Sequence, residues 1–221
     1  KTALELSQVP DDFMRKNMSV VGLRLLKELQ GIPCKGWNVI TPKKAVGTAK
    51  SFGILLTNIE DIELAAANYA AECAKKLRAQ KSCCSCVQVF LATNQFRTQD
   101  QQYFHSIDIR LLSPTNNTGI LIEQVKKGVR MIFKAGYNYH KVGVMTMELV
   151  PEDVQQNNFL EGFAGSKNKH VMKIMDRINL QMGGNTLKMA SQGTNKIYTM
   201  RQDYLSPRYT TRFDEILKIY E

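Results

Sequence analysis

Apolar positions change their spacing several times along the chain, and each change marks an element. Early on, Val21, Leu25, Leu26 and Leu29 recur every three or four residues behind Ser19, a residue type that caps helix starts. Gly31-Ile-Pro33 closes that helix, and Asp11-Asp12 reads as the start of another. Residues 36–44 contain Trp37, Thr41 and Pro42 without helical spacing, which predicts a tether into a second module. The order then becomes strand, helix, strand, strand, helix, strand.

A strand is expected over 45–52, followed by a helix opening at Thr57-Asn-Ile-Glu60 as a capping box. Its apolar face would be Ile62, Ala66, Tyr69, Cys73 and Leu77, with acidic residues early and basic ones late, matching the helix dipole. Residues 86–93 are β-branched and apolar. Residues 103–111 alternate, with Tyr103, His105, Ile107, Ile109 and Leu111 on one side and Ser106, Asp108 and Arg110 on the other. A second helix over 118–135 carries Ile122, Val125, Val129, Ile132 and Phe133 inward and ends at Gly136; a last strand covers 141–149. Two helices cover one face of a four-stranded sheet, so this α+β order, βαββαβ, leaves the other face open. Beyond it, a helix over 167–182 would bury Val171, Ile174, Met175 and Ile178, and a short hairpin would pair 186–190 with 196–200.

Charge adds a partner class. Lys and Arg outnumber Asp and Glu by 30 to 20, and residues 42–150 hold 14 basic against 8 acidic residues, so the excess sits in the middle module. A polyanionic partner follows, though charge alone does not choose among DNA, RNA and anionic lipid. No apolar run is long enough to span a bilayer and no secretory leader is visible, which predicts a cytoplasmic protein with no membrane partner. The chain opens on Lys1 inside what reads as a motif, so a natural N-terminus elsewhere is expected.

Candidate chemistry is sparse. Cys83-Cys84-Ser-Cys86 lacks paired metal-ligand spacing and has no nearby His, so these thiols read as buried hydrophobes. His105 and His140 have no orienting third group, and neither Asp108 nor Asp11-Asp12 makes a two-metal carboxylate set. Lys126, Lys127, Arg130 and Lys134 form the densest basic stretch, expected to be a solvated helix face. Lys50, Arg97, Arg110 and Lys141 lie on or beside strands, with Ser51, Thr93 and Asn94 next to them, spaced as cations that track a phosphate backbone.

Leu205-Ser-Pro-Arg-Tyr-Thr-Thr-Arg212, following Gly183-Gly184-Asn-Thr-Leu, Ala190-Ser-Gln-Gly193 and Met200-Arg201, resembles the C-terminal region of the UmuC branch of the Y-family translesion DNA polymerases. The likeness runs back through Ala135-Gly-Tyr-Asn-Tyr-His-Lys-Val-Gly-Val-Met145, Leu111-Leu-Ser-Pro-Thr115, Thr93-Asn-Gln-Phe-Arg97 and Lys50-Ser-Phe-Gly53 to Lys1-Thr-Ala-Leu-Glu-Leu, which is similar to half of a thumb helix-hairpin-helix without its turn glycines.

The resemblance implies a helical thumb remnant over 1–36, a tether over 37–44, a little-finger DNA-binding domain over 45–150, a linker over 151–166 and a UmuC-type extension over 167–221. It implies a non-catalytic fragment of an error-prone SOS polymerase, gripping primer-template DNA without sequence preference, with Mg²⁺ held only by parts of the intact enzyme outside this chain. It also implies a sliding-clamp peptide at Val154-Gln-Gln-Asn-Asn-Phe-Leu-Glu161, with Gln156, Phe159 and Leu160 as anchors, although Asn157 and the Phe-Leu order depart from the usual pattern. The extension would dock a UmuD-like protein or the RecA filament, and Arg208 and Arg212 could grip DNA or pair within the fold. Two rivals stand beside this reading. One is a protein-interaction module for UmuD, clamp or RecA with incidental DNA contact. The other is an RNA-binding ferredoxin-like sheet, for which Phe52 and Phe90 are the nearest stacking candidates.

Overall fold

The computed structural model describes residues 2–34, 36, 43–154, 164–195, 197–200, 202 and 204–216. The chain divides into two compact units, Lys1–Pro42 and Lys43–Glu221.

In the first unit, α1 (Ala3–Ser7) begins with a capping box in which Thr2 accepts from the Glu5 N–H and Glu5 reaches back. Helix α2 (Asp11–Leu29) breaks at Ser19, whose φ of 59° lies outside the helical region and whose Oγ accepts from the Val21 N–H. The expected cap is therefore a kink between two helical segments. Gly31, at φ 82°, ends α2: its N–H reaches the Glu28 carbonyl and the Ile32 N–H reaches Lys27. Such a left-handed closure is cheap only for glycine.

The second unit has the expected α+β order. Strands β1 (Val46–Leu56), β2 (Ser82–Thr93), β3 (Phe104–Thr115) and β4 (Tyr139–Pro151) form one sheet in the order β1-β4-β2-β3, every pair antiparallel. Each helical crossover therefore straddles one strand. Helix α3 (Ile59–Ala79) is capped by Asn58, whose side chain accepts from the Glu60 N–H, one residue later than expected. Helix α4 (Thr118–Ile132) is capped by Asn117 and is three residues shorter than its sequence pattern, since Phe133 is already extended.

Both helices lie on one side of the sheet. Ile62, Ala66, Tyr69, Cys73 and Leu77 of α3 and Ile122, Val125, Val129 and Ile132 of α4 meet Val87, Val89, Leu91, Val142 and Val144 in one core. Gly128 lets α4 approach β2 and β3: a Cβ there would fall 2.8 Å from Ile109 Cδ1. Cys73, Cys83, Cys84 and Cys86 are reduced and buried, and burial pushes the Cys84 thiol up to about 12.

The extension departs furthest from expectation. Helix α5 (Ala164–Gln181) buries Met172, while Val171 is 54% exposed and Ile174 is also exposed, so its packed face is rotated from the expected one. The reason is polar. Asp176 turns toward α3, where Arg78 donates to it through Nε (2.6 Å) and Nη2 (2.8 Å), while Nη1 reaches the Asn116 carbonyl and Thr118 Oγ1. Among the described residues of 186–190 and 197–200 the expected hairpin strands are absent; instead a 3₁₀ turn at Ala190–Gln192 packs on α3, with Asn68 donating to the Gln192 carbonyl. The Gly53 N–H meets the Tyr198 carbonyl at 3.4 Å, laying this segment beside the β1 edge. Among the described residues, no helix is long and apolar enough to cross a membrane.

Candidate nucleic-acid interface

Strand alternation decides what the uncovered side of the sheet presents. Residue pairing sets Ser51, Lys141, Ala92 and Phe104 in one row across it, then Ala49, Gly143, Phe90 and Ser106, then Gly47, Met145, Gln88 and Asp108. Met147, Cys86 and Arg110 form the next. None of the described elements of this unit packs over these rows, because α3, α4 and α5 share the opposite side. Lys141 and Arg110 thus mark opposite ends of one face. Six residues of β4 separate their rows, roughly 20 Å at about 3.3 Å per residue.

The β2–β3 connection sits at the Lys141 end. Asn94 Oδ1 accepts from the Phe96 N–H, and Gln102 Nε2 bonds the carbonyls of Asn94, Arg97 and Asp100. These contacts hold Arg97 at the tip, where its Nε pairs with Asp100 at 2.8 Å. Thr93 is buried and bonds Gln102 and Tyr103, so it shapes the hairpin rather than facing solvent.

The four strand cations do not all face one way. Lys50 shares the parity of Val46, Thr48 and Phe52 and points to the helix side, 3.6 Å from Glu72 and over the Tyr69 ring. It lines a cavity of about 750 Å³ between α3, α5 and the segment around Tyr198. Lys141, Ser51 and Arg110 share the open face, Arg97 and Asn94 stand at its end, and Lys50 belongs elsewhere. Gln156, Phe159 and Leu160 lie outside the described residues.

The basic stretch on α4 is solvated, as expected, at Arg130 and Lys127, but its cations are also ion-paired. Lys126 (3.0 Å) and Arg130 (2.5 Å) both pair with Glu63 of α3, whose side chain is 8% exposed. Burial works against the Glu63 charge, but hydrogen bonds from Arg130 and Lys126 outweigh it and hold the carboxyl below its ordinary range. Lys127 pairs with Glu123, and Lys134 sits over the Tyr103 ring. This cluster joins the helices to each other and to the sheet edge.

Sequence reasoning named Phe90 as a stacking candidate but missed its open-face neighbour Phe104. Phe90 and Phe104 have ring centroids 6.0 Å apart, and Lys141 Nζ lies 5.9 Å from the Phe90 centroid. The signal was present: Phe104 shares the parity of Ser106, Asp108 and Arg110. Phe52, the other expected stacking residue, is buried on the helix side. Among the described residues, no group of three or more His, Cys, Asp or Glu is placed to share a metal ion.

A four-stranded antiparallel sheet with both crossover helices on one side and an uncovered face on the other is a little-finger-like α+β domain. The C-terminal domain of the impB/mucB/samB family matches residues 43–159, and the chain belongs to that family. A domain of unknown function, DUF4113, matches residues 169–219, the region of α5 and the segment after it. The chain is 33% identical to Protein UmuC of Salmonella typhimurium, with 99% of this chain and 52% of the relative aligned. It is 30% identical to Protein ImpB of Salmonella typhimurium (97% and 51%) and 30% identical to Protein MucB of Escherichia coli (98% and 51%). The chain spans about half the length of these relatives.

Proposed function

We propose that this chain is the DNA-gripping and partner-docking part of a UmuC-like, error-prone translesion polymerase of the SOS response. Nucleotide addition and its Mg²⁺ would belong to the part of the relatives that the chain does not span. The observation that carries this reading is the uncovered sheet face, with Lys141 and Arg110 at its two ends and neither cation ion-paired among the described residues. Backbone contacts of this kind hold a duplex without reading its sequence, which suits an enzyme that must accept damaged templates.

The purified chain is expected to bind primer-template DNA weakly, with steep salt dependence and no nucleotide incorporation. Lys141→Glu and Arg110→Glu should each weaken binding and lower the salt slope by about 0.9 per lost phosphate contact. An unchanged slope in both variants refutes the reading, as does incorporation by the chain alone. A second reading, a docking module for a UmuD-like protein, the sliding clamp or a RecA filament, is favoured by the extension. There Tyr204 and Phe213 are 100% and 94% exposed. It prevails if the two charge reversals leave DNA binding intact while truncation of these rings abolishes partner capture.

A further inference from the structure

The open face carries two rings where a simple phosphate cradle needs none. Phe90 lies across Gly143, where a Cβ would fall 2.1 Å from its ring, and Phe104 stands beside it on the edge strand, 69% exposed. Around them are Lys141, Ser51 and Ser106, with Gln88 donating to Asp108 in the next row. Phenylalanine has no hydrogen-bonding group, so it can neither grip a phosphate nor read a base edge. What it offers a polyanion is a flat apolar surface, and only an unstacked base can use it. In a duplex those faces are already covered by neighbouring bases.

We propose that Phe90 and Phe104 form a stacking platform for unpaired bases of single-stranded DNA, with Lys141 holding an adjacent phosphate. This rests on the DNA-binding reading above and adds a strand preference to it. The full chain would be titrated by fluorescence anisotropy into a labelled oligo-dT of about a dozen nucleotides. A matched abasic sugar-phosphate strand, a blunt duplex and oligo-U would be titrated in parallel.

Oligo-dT is expected to bind more tightly than the abasic strand. Phe104→Ala should cost about 5- to 100-fold on oligo-dT and leave the abasic strand and duplex unchanged. Phe104→Trp should retain binding, and Lys141→Gln should weaken every probe. Because Phe104 is exposed, an unchanged circular dichroism melt is expected for its variants. If Phe104→Ala binds oligo-dT like the parent, or the abasic strand binds equally well, while salt-dependent duplex binding persists, the platform is overturned and the backbone grip survives. If no probe binds at low salt, the DNA reading fails and takes the platform with it. Preference for oligo-U over oligo-dT overturns the assignment to DNA.

Discussion

Asp176→Ala is expected to release the extension from α3 without unfolding the sheet. Arg78 is only 10% exposed and makes four hydrogen bonds, two to Asp176 and two to Asn116 and Thr118. The substitution removes the charge-matched pair and leaves a guanidinium half satisfied in a nearly dry site. Bonds to a charged group contribute about 1.5–3 kcal/mol each, so the ceiling is about 6 kcal/mol. Asp176 is itself 29% exposed, and water entering from that side lowers the cost to about 2–3 kcal/mol. The assay is native-state hydrogen exchange read segment by segment. Amides of α5 should exchange about 30- to 150-fold faster while those of β2 and β4 keep their protection. Arg78→Met combined with Asp176→Ala should cost less than the sum of the single changes, because the partners share one interaction. Two results refute the reasoning: α5 protection within about twofold of the parent, or equal loss of protection in α5 and the sheet.

Two further outcomes follow from the covered and open sides of the sheet. Glu63→Gln should cost about 1–2 kcal/mol at neutral pH, less than for a fully buried pair because Arg130 reaches water. The folded Glu63 carboxyl titrates below its unfolded value, so the unfolded chain binds more protons as pH falls. Its contribution is complete above about pH 5 and is lost on descending through the folded pKa. Urea melts should therefore show parent and variant converging as pH falls below the ordinary carboxylate range, and a constant gap would count against the Glu63 pairing. Gly143→Ala should drive the Phe90 ring off the sheet, destabilising by about 1–3 kcal/mol; an unchanged thermal midpoint would show that the ring is not held there.

Strand and helix order was legible because burial on one side imposes alternation in strands and three-to-four spacing in helices. Val87, Val89 and Leu91 alternate, and Ile62 through Leu77 keep helical phase. Strand ends were harder: Ser82 to Cys84 continue β2 past the obvious pattern. What local pattern could not supply were long-range polar pairings. Asp176 meets Arg78 across 98 residues and rotates α5 about its axis, whereas apolar spacing alone favoured Val171 and Ile174. Lys50 looked equivalent to Arg110 because both are strand cations, but its parity with Val46, Thr48 and Phe52 puts it on the helix side, where it meets Glu72 and Tyr69. The pairing of Lys126 and Arg130 with Glu63 of α3 was likewise invisible in local pattern, though Arg130 does remain solvated.

The sheet order has a consequence for how the domain is made. The β1 edge closes on β4, and Thr146 Oγ1 donates to the Val46 carbonyl across 100 residues. At roughly 5–20 residues per second of translation, β1 leaves the ribosome about 5–20 s before its sheet neighbour β4 exists. The β2–β3 hairpin can zip as soon as it emerges, but the core cannot be sealed until the final strand slides between β1 and β2. The strand that completes the sheet is also the one that brings Lys141 into line, so the uncovered face comes into being only as the fold locks.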